Sequence, residues 1–563
     1  MGRQRSKHLD LTDDDYYDGY DSENDYDYCS EDEPGSNNKN NLVEFTSKKL
    51  LTNKKNNINL ETKEINNIDK NGLVINPKIK SNNLLNNESN NKIKGDINVD
   101  MISNFRNYIF VILGHVDSGK STLMGHLFVN LGYVEKSVIR KYFRESENVG
   151  KSSFAYAWVF DDTEDERERG ITINVTAKNI KLDKNNSILT ILDSPGHVEF
   201  IPTSFFATLA SNNAIIVIDV NNYESGFIKG QTKEHISFAL FSNVSNIIFT
   251  LNKMDKIEWD QNTYNNIVNN IKKYINDDLK ELNKSNTNLF FIPVSAFVGV
   301  NICNKDECNT TANNNWYNGP TLFELLNNLS STKFNNGKTE IKDKKCECSP
   351  IISNYNNKNK LIAYLFEIIS INSNELKASI YLEYGMLKVG NQYTLLPSQS
   401  NIKCKSIFID NESYNSYCGP VFITSVTFTC NIYPSVGNIV ISNNNTNHHH
   451  LRNNNNHNNN SIDLFYPLFI TKKVKVKLIK QLNSEYFINN NIIWNVPGKS
   501  FMIYFHCNSI PATLTLYKNN IYFFESDVDF VSYLRCSCNH TSNMGKVIVR
   551  FFGITAFIGE TIL

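Results

Sequence analysis

Eight residues, GHVDSGKS at 114–121, constrain this chain more than any other stretch. They follow an apolar run, NYIFVIL (107–113), and lead into STLMGHLFVNLG, which has helical spacing. The pattern G-x-x-x-x-G-K-S between a strand and a helix marks a loop that wraps phosphate oxygens. Its glycines let successive backbone N–H groups turn inward, and the helix N-terminus adds positive potential. A strand that feeds such a loop belongs to a parallel sheet covered on both faces.

Four more runs have the same character: SILTIL (187–192), AIIVID (214–219), NIIFTL (246–251) and FFIPV (290–294). Each is short and nearly all apolar, as strands buried on both faces are. Helical spacing returns between them, as in YNNIVNNIKKYINDDLKELN. This alternation predicts an α/β P-loop domain over 104–335, with a doubly wound, mainly parallel sheet. After about residue 350 the chain turns to β-type runs broken by Gly, Asn and Pro, among them LIAYLFEIISI, PVFITSVTFTCNIYP, KKVKVKLIK and KVIVRFFGITAFIGETIL. They predict two β-barrels, 350–441 and 462–563, around an Asn-rich insert at 442–461.

Residues 1–103 read as disordered, because an acidic, tyrosine-rich run and a long Asn/Lys/Ile tract cannot offset the entropy of ordering. Residues 10–33 hold twelve carboxylates and no Lys or Arg, so residues 101–563 carry +4 of a chain total of −1. A mildly basic body fits contact with RNA phosphates without requiring it.

Several function classes are set aside by composition. Eleven cysteines include no CxxC pair. Cys303/Cys308 and Cys346/Cys348 lack zinc spacing, and reduced thiols in a cytoplasmic protein are the expectation. No apolar run predicts a signal peptide or a membrane span. MGRQRS superficially suits myristoylation, but the acidic run behind it is a poor second membrane signal. His448, His449 and His450 sit inside the Asn-rich insert, where compositional drift explains them. The expectation is a monomer with no membrane contact.

The candidate binding loop is Gly114, His115, Val116, Asp117, Ser118, Gly119, Lys120, Ser121 and Thr122. Lys120 is expected to reach β- and γ-phosphates, and the Ser121 hydroxyl to hold Mg²⁺. Asp193 in DSPGH follows the run SILTIL and is placed to hold Mg²⁺, through a water. Pro195 and Gly196 follow it, and Gly196 offers an N–H near a γ-phosphate. In ERERGITI (166–173), Thr172 is the candidate second hydroxyl on Mg²⁺; alternatively it is a β-branched residue starting a strand. NKMD (252–255) follows NIIFTL. Asp255 can accept from guanine N1–H and N2–H₂, a pair that adenine lacks, so it selects GTP and GDP. Asn252 would bond the purine and neighbouring loops, and the Lys253 stem would pack on the ring. Ser295 and Ala296 would offer a backbone N–H to guanine O6.

With these motifs in order, the chain resembles the translational GTPases of the elongation factor 1-alpha family. GHVDSGKST, FAYAWVFDDTEDERERGITI, DSPGHVEF, GQTKEH and NKMD carry the resemblance, which spans roughly 104–563 and thins in the barrels. It implies a GTPase whose His197 is swung into place by the ribosome to order the attacking water. It also implies that Val116 and Ile171 form an apolar gate holding that histidine back, with Asp117 in the same loop.

Three relatives share that architecture: the tRNA-delivering elongation factor, the GTPase subunit of the release factor, and the ribosome-rescue GTPase that partners Pelota. FAYAWVFDDTEDERERG, STLMGHL and the acidic-tyrosine tail with DYC (27–29) are most similar to the rescue GTPase. The resemblance therefore implies delivery of a Pelota-type, release-factor-like protein to a stalled ribosome, with tRNA or rRNA contacts. The chain departs from the family at Val198 and Glu199, in the shortened run before GQTKEH, and at FFG (551–553).

Overall fold

Strand β1, Asn107–Leu113, sends alternate side chains into two separate cores. Ile109, Val111 and Leu113 face one, and Tyr108, Phe110 and Ile112 face the other, as a period of two requires. The computed structural model describes residues 107–148, 152–160, 166–167, 172, 174–182, 187–283, 287–303, 316–331, 361–409, 412–419, 421–442, 468–505, 508–533, 543 and 545–562. The acidic run, the Asn/Lys/Ile tract, residues 443–461 and Ile171 fall outside them.

The first sheet has the order β2-β3-β1-β4-β5-β6. Its other strands are β2 (Thr176–Leu182), β3 (Ser187–Asp193), β4 (Asn213–Asp219), β5 (Asn246–Asn252) and β6 (Asn288–Pro293). All pair in parallel except β2 with β3. The order reverses on either side of β1, so a crevice opens at its C-terminal end, where the phosphate-type loop begins.

Helices α1 (Lys120–Asn130) and α6 (Leu322–Ser331) cover the face of Phe110 and Ile112. Helices α3 (Ile201–Leu209), α4 (Thr232–Phe241) and α5 (Gln261–Asp277) cover the other. Helix α2 is Lys136–Asn148. Asp260 starts α5 by accepting from the backbone N–H groups of Asn262 and Thr263, and the Thr263 hydroxyl together with these bonds holds its carboxyl below the usual range.

Two closed six-stranded barrels follow. In the first, β10 (Ser400–Ile409), β13 (Val421–Thr429), β8 (Glu375–Lys388), β7 (Leu361–Ile371), β14 (Ile439–Ser442) and β9 (Gln392–Leu396) run in that order, and β9 closes on β10. Short strands β11 (Glu412–Tyr414) and β12 (Ser416–Cys418) flank it. Leu361, Ala363 and Leu365 fill its interior, while Tyr364 and Phe366 point outward. Phe366 meets Phe206 of α3 at a ring separation of 4.8 Å, which docks the barrel on the first domain.

The second barrel runs β15 (Leu468–Gln481), β18 (Ile521–Tyr533), β17 (Asn508–Lys518), β16 (Ser500–Phe505), β19 (Lys546–Phe551) and β20 (Ile554–Ile562), closed by β15 on β20. A short helix, α7 (Ser484–Asn489), follows β15 and has no counterpart in the sequence reading. This barrel caps the ends of three helices of the first domain. Lys546 Nζ donates to Phe241 O (2.6 Å), Asn543 Nδ2 to Leu209 O (2.7 Å) and Lys480 Nζ to Asp278 O (2.8 Å). Carbonyls at a helix C-terminus lack intrahelical donors, and the helix dipole favours cations there.

Among the described residues, no helix is long and apolar enough to cross a membrane. Cys303 is buried and in no disulfide among the described residues, while Cys308, Cys346 and Cys348 lie outside them.

Candidate functional site

The loop after β1 turns through left-handed backbone at Asp117 (φ 58°) and Gly119 (φ 90°) before α1 starts at Lys120. A Cβ on Gly119 would stand 2.4 Å from Asn252 Nδ2, so the close approach of the two loops requires glycine. Lys120 is buried, and its Nζ donates to the carbonyls of Gly114 (3.1 Å) and His115 (2.9 Å). Burial lowers its pKa to about 8, against the opposing pull of Asp193 and Asp117.

Asp193 ends β3 beside that ammonium. It is fully buried, and neither carboxylate oxygen has a hydrogen bond of good geometry. Burial pushes its pKa up to about 6, and the neighbouring Ser121 hydroxyl and Lys120 charge pull it back. Ser121 Oγ lies 3.2 Å from Thr172 Oγ1. Thr172 stands outside the strand, since β2 begins at Thr176, so the strand-start reading of that residue fails. Two hydroxyls and an orphaned carboxylate thus converge, and hard oxygens of this kind suit Mg²⁺. Gly196 leans over the group: a Cβ there would meet Lys120 Nζ at 2.3 Å and Gly114 O at 2.9 Å. Pro195 O is anchored by the Ser204 hydroxyl at 2.5 Å.

The loops after β5 and β6 meet around Asn252. Its Nδ2 donates to Ser118 O (2.8 Å), and its Oδ1 accepts from Ala296 N (2.9 Å). Lys253 Nζ bridges Asp117 O and Asp219 Oδ2, each at 2.7 Å. The Ser295 hydroxyl donates to Asp255 Oδ1 at 2.6 Å and fixes that carboxylate. The structure therefore brings together the three motif loops that lie far apart in sequence.

Residues 105–353 match the family model described as "Elongation factor Tu GTP binding domain". This segment is similar to that family's GTP-binding domain. Elongation factor 1-alpha of Ignicoccus hospitalis is 39% identical over 224 residues, 39% of this chain and 48% of that protein. Protein HBS1 of Drosophila melanogaster is 38% identical over 222 residues, 39% of this chain and 32% of that protein. The chain thus spans half or less of the length of these relatives. The GTP-bound Ski7 GTPase-like domain of S. cerevisiae shares the fold, with a TM-score of 0.63 at 17% identity, over 83% of this chain and 99% of that one.

Within the GTP-binding domain, His197 is half-exposed, and its described contacts stay within its own loop. Its Nδ1 accepts from Glu199 N at 3.4 Å, and its ring lies 6.1 Å from that of Phe200. Val116 is half-buried, with its backbone N 3.0 Å from where a Gly196 Cβ would be. The other proposed gate residue, Ile171, lies outside the described residues.

Three residues that support the loop after β1 had no role in the sequence reading. His235 Nδ1 accepts from Gly114 N at 3.1 Å, and burial lowers its pKa to about 3, so the ring is neutral. Gln231 Oε1 meets His115 Nδ1 at 2.5 Å. Asp219 anchors Lys253. Gln231 and His235 both lie in GQTKEH, so a motif at a strand-distant helix start was the available signal.

Proposed function

We propose that the chain is a translational GTPase that binds GTP across the C-terminal ends of β1, β3, β5 and β6. The observation that carries this reading is the meeting of Ser121, Thr172 and the orphaned Asp193 beside Lys120. Backbone N–H groups of 114–122 would wrap the phosphates, and Lys120 would bind the β- and γ-oxygens. Ser121 and Thr172 would hold Mg²⁺ directly, and Asp193 through a water. Bound there, Mg²⁺ would neutralise charge on the β- and γ-phosphate oxygens. Asp255, oriented by Ser295, would accept from guanine N1–H and N2–H₂, and the Lys253 stem would cover the ring.

His197 would orient the water that attacks the γ-phosphorus. A new O–P bond forms, the bond to the GDP oxygen breaks, and phosphate leaves. Orientation supplies more of such a rate than basicity does. In this reading Val116 and Ile171 hold His197 back until a ribosome frees it.

The cargo we infer is a Pelota-type, release-factor-like protein, delivered to stalled ribosomes in the cytoplasm by a monomer between partners. FAYAWVFDDTEDERERG and the acidic-tyrosine run support it, as does the similarity to protein HBS1. Similarity to elongation factor 1-alpha favours a second reading, delivery of aminoacyl-tRNA.

A competition pull-down separates them. The protein, loaded with a non-hydrolysable GTP analogue, is offered a Pelota-type protein, a termination factor and aminoacyl-tRNA. Selective capture of the first supports rescue, and preference for aminoacyl-tRNA overturns it. Turnover with ribosomes, in wild type and His197→Ala, tests the hydrolytic step: equal, negligible rates would leave a nucleotide-gated adaptor.

A further inference from the structure

Arg550 lies near the end of β19 in the last barrel, 352 residues from Val198. One guanidinium nitrogen donates to Val198 O at 2.9 Å and also to Gly553 O. The side chain is buried, and its charge acts on Glu234 of α4, whose carboxyl is also stabilised by Thr555 and Asn483. Burial raises the Glu234 pKa, and Arg550, Thr555 and Asn483 oppose the shift.

The two neighbours of Arg550 matter for the site. Val198 directly follows His197, and Glu234 directly precedes His235, which receives the Gly114 N–H. One buried cation of the last barrel is therefore bonded to the peptide after His197 and acts through its charge on the residue before His235. Charge-assisted bonds to carbonyls in a dry setting are the strong ones. By contrast, the His197 ring is held by one long bond to its own loop. The peptide after His197 is thus tied more firmly than the ring itself.

We propose that Arg550 is a positioning residue: its bond to Val198 O holds the 197–198 peptide, and with it His197, away from the nucleotide. This rests on the hydrolytic reading of His197. Movement of the histidine toward the γ-phosphate then requires release of this bond, so the last barrel brakes hydrolysis and its displacement lifts the brake.

The test uses the full chain without ribosomes and compares wild type, Arg550→Lys and the double variant Arg550→Met with Glu234→Gln. The double variant replaces the buried pair with neutral groups of similar size, which guards against an unpaired charge. Single-turnover GTP hydrolysis is expected to rise about tenfold, the population change that one charge-assisted bond can hold. Arg550→Lys should fall between. The rise should vanish when His197→Ala is added. Hydrogen exchange of the 198–200 amides should quicken in the double variant, whether or not GTP turns over.

Unchanged exchange, an unchanged or slower rate, or a rise that survives His197→Ala overturns the proposal. Faster exchange in a protein that hydrolyses no GTP even with ribosomes would keep the clamp and overturn the GTPase reading instead.

Discussion

The hydroxyl of Ser295 and the carboxylate of Asp255 are joined at 2.6 Å, from the loops after β6 and β5, and this bond aims the carboxylate. Asp255 presents two acceptors to a purine, which only guanine can answer with two donors. An amide at this position keeps one acceptor and gains a donor. Asp255→Asn should weaken GTP binding by about a hundredfold, as expected when paired polar groups lose their match. It should favour xanthosine triphosphate, whose C2 carries an oxygen. Fluorescence titration with both nucleotides checks this, and equal GTP affinity in both proteins would reject the assignment.

Gly196 touches Lys120 and the Gly114 carbonyl so closely that a methyl group cannot enter without displacing one of them. Gly196→Ala should therefore leave the base contacts intact and disturb the loop beside the γ-phosphate. GTP hydrolysis with ribosomes should fall at least about tenfold, while GDP affinity changes by less than about threefold. A parallel loss of GDP binding would place Gly196 in general folding of the loop.

Lys546 is 1% exposed, and its contacts include Phe241 O at 2.6 Å, Asn543 Oδ1 at 2.8 Å and the face of the Phe241 ring at 5.3 Å. Lys546→Met keeps most of the volume but leaves the helix carbonyl without its partner. The cost should be about 1–3 kcal/mol. Limited proteolysis and thermal unfolding should report it as earlier loosening of the second barrel from the GTP-binding domain. An unchanged melting temperature would mean that water replaces the cap.

Glu383 on β8 is a buried carboxyl with Oε2 unpartnered, and burial pushes its pKa up to about 7, with the Tyr364 hydroxyl opposing. The folded state then binds more protons than the unfolded state between the ordinary value of 4.5 and about 7. Stability contributed by this group is therefore present at low pH and lost as pH rises through that window. Glu383→Gln should stabilise the protein at pH 8, by about 3 kcal/mol, and have no effect near pH 4.5. Melting curves at both values decide it, and equal gains at both would rule out titration of Glu383.

Much of this architecture is local and was therefore legible. Strand β1 matches the run NYIFVIL, β7 matches LIAYLFEIISI, and β3, β4 and β5 match their apolar runs to within one residue at either end. A strand buried on both faces leaves a continuous apolar signature, and glycines in the binding loop leave a spacing. Helix α7, six residues long, left neither, because its burial rests mainly on Phe487 packed against Trp494 of the next loop.

The sequence alone was enough to nominate residues for guanine, phosphate and Mg²⁺, because each motif needs only its own few neighbours. It did not determine what holds those motifs in place. His235 reaches Gly114 across 121 residues, Lys546 reaches Phe241 across 305, and Arg550 reaches Val198 across 352. Such partners share no spacing or period. The first pair meets when the sheet and its helices close, and the other two only when the second barrel docks on the first domain. The chemistry of the site was thus written in short segments, and its restraint was decided by the packing of whole domains.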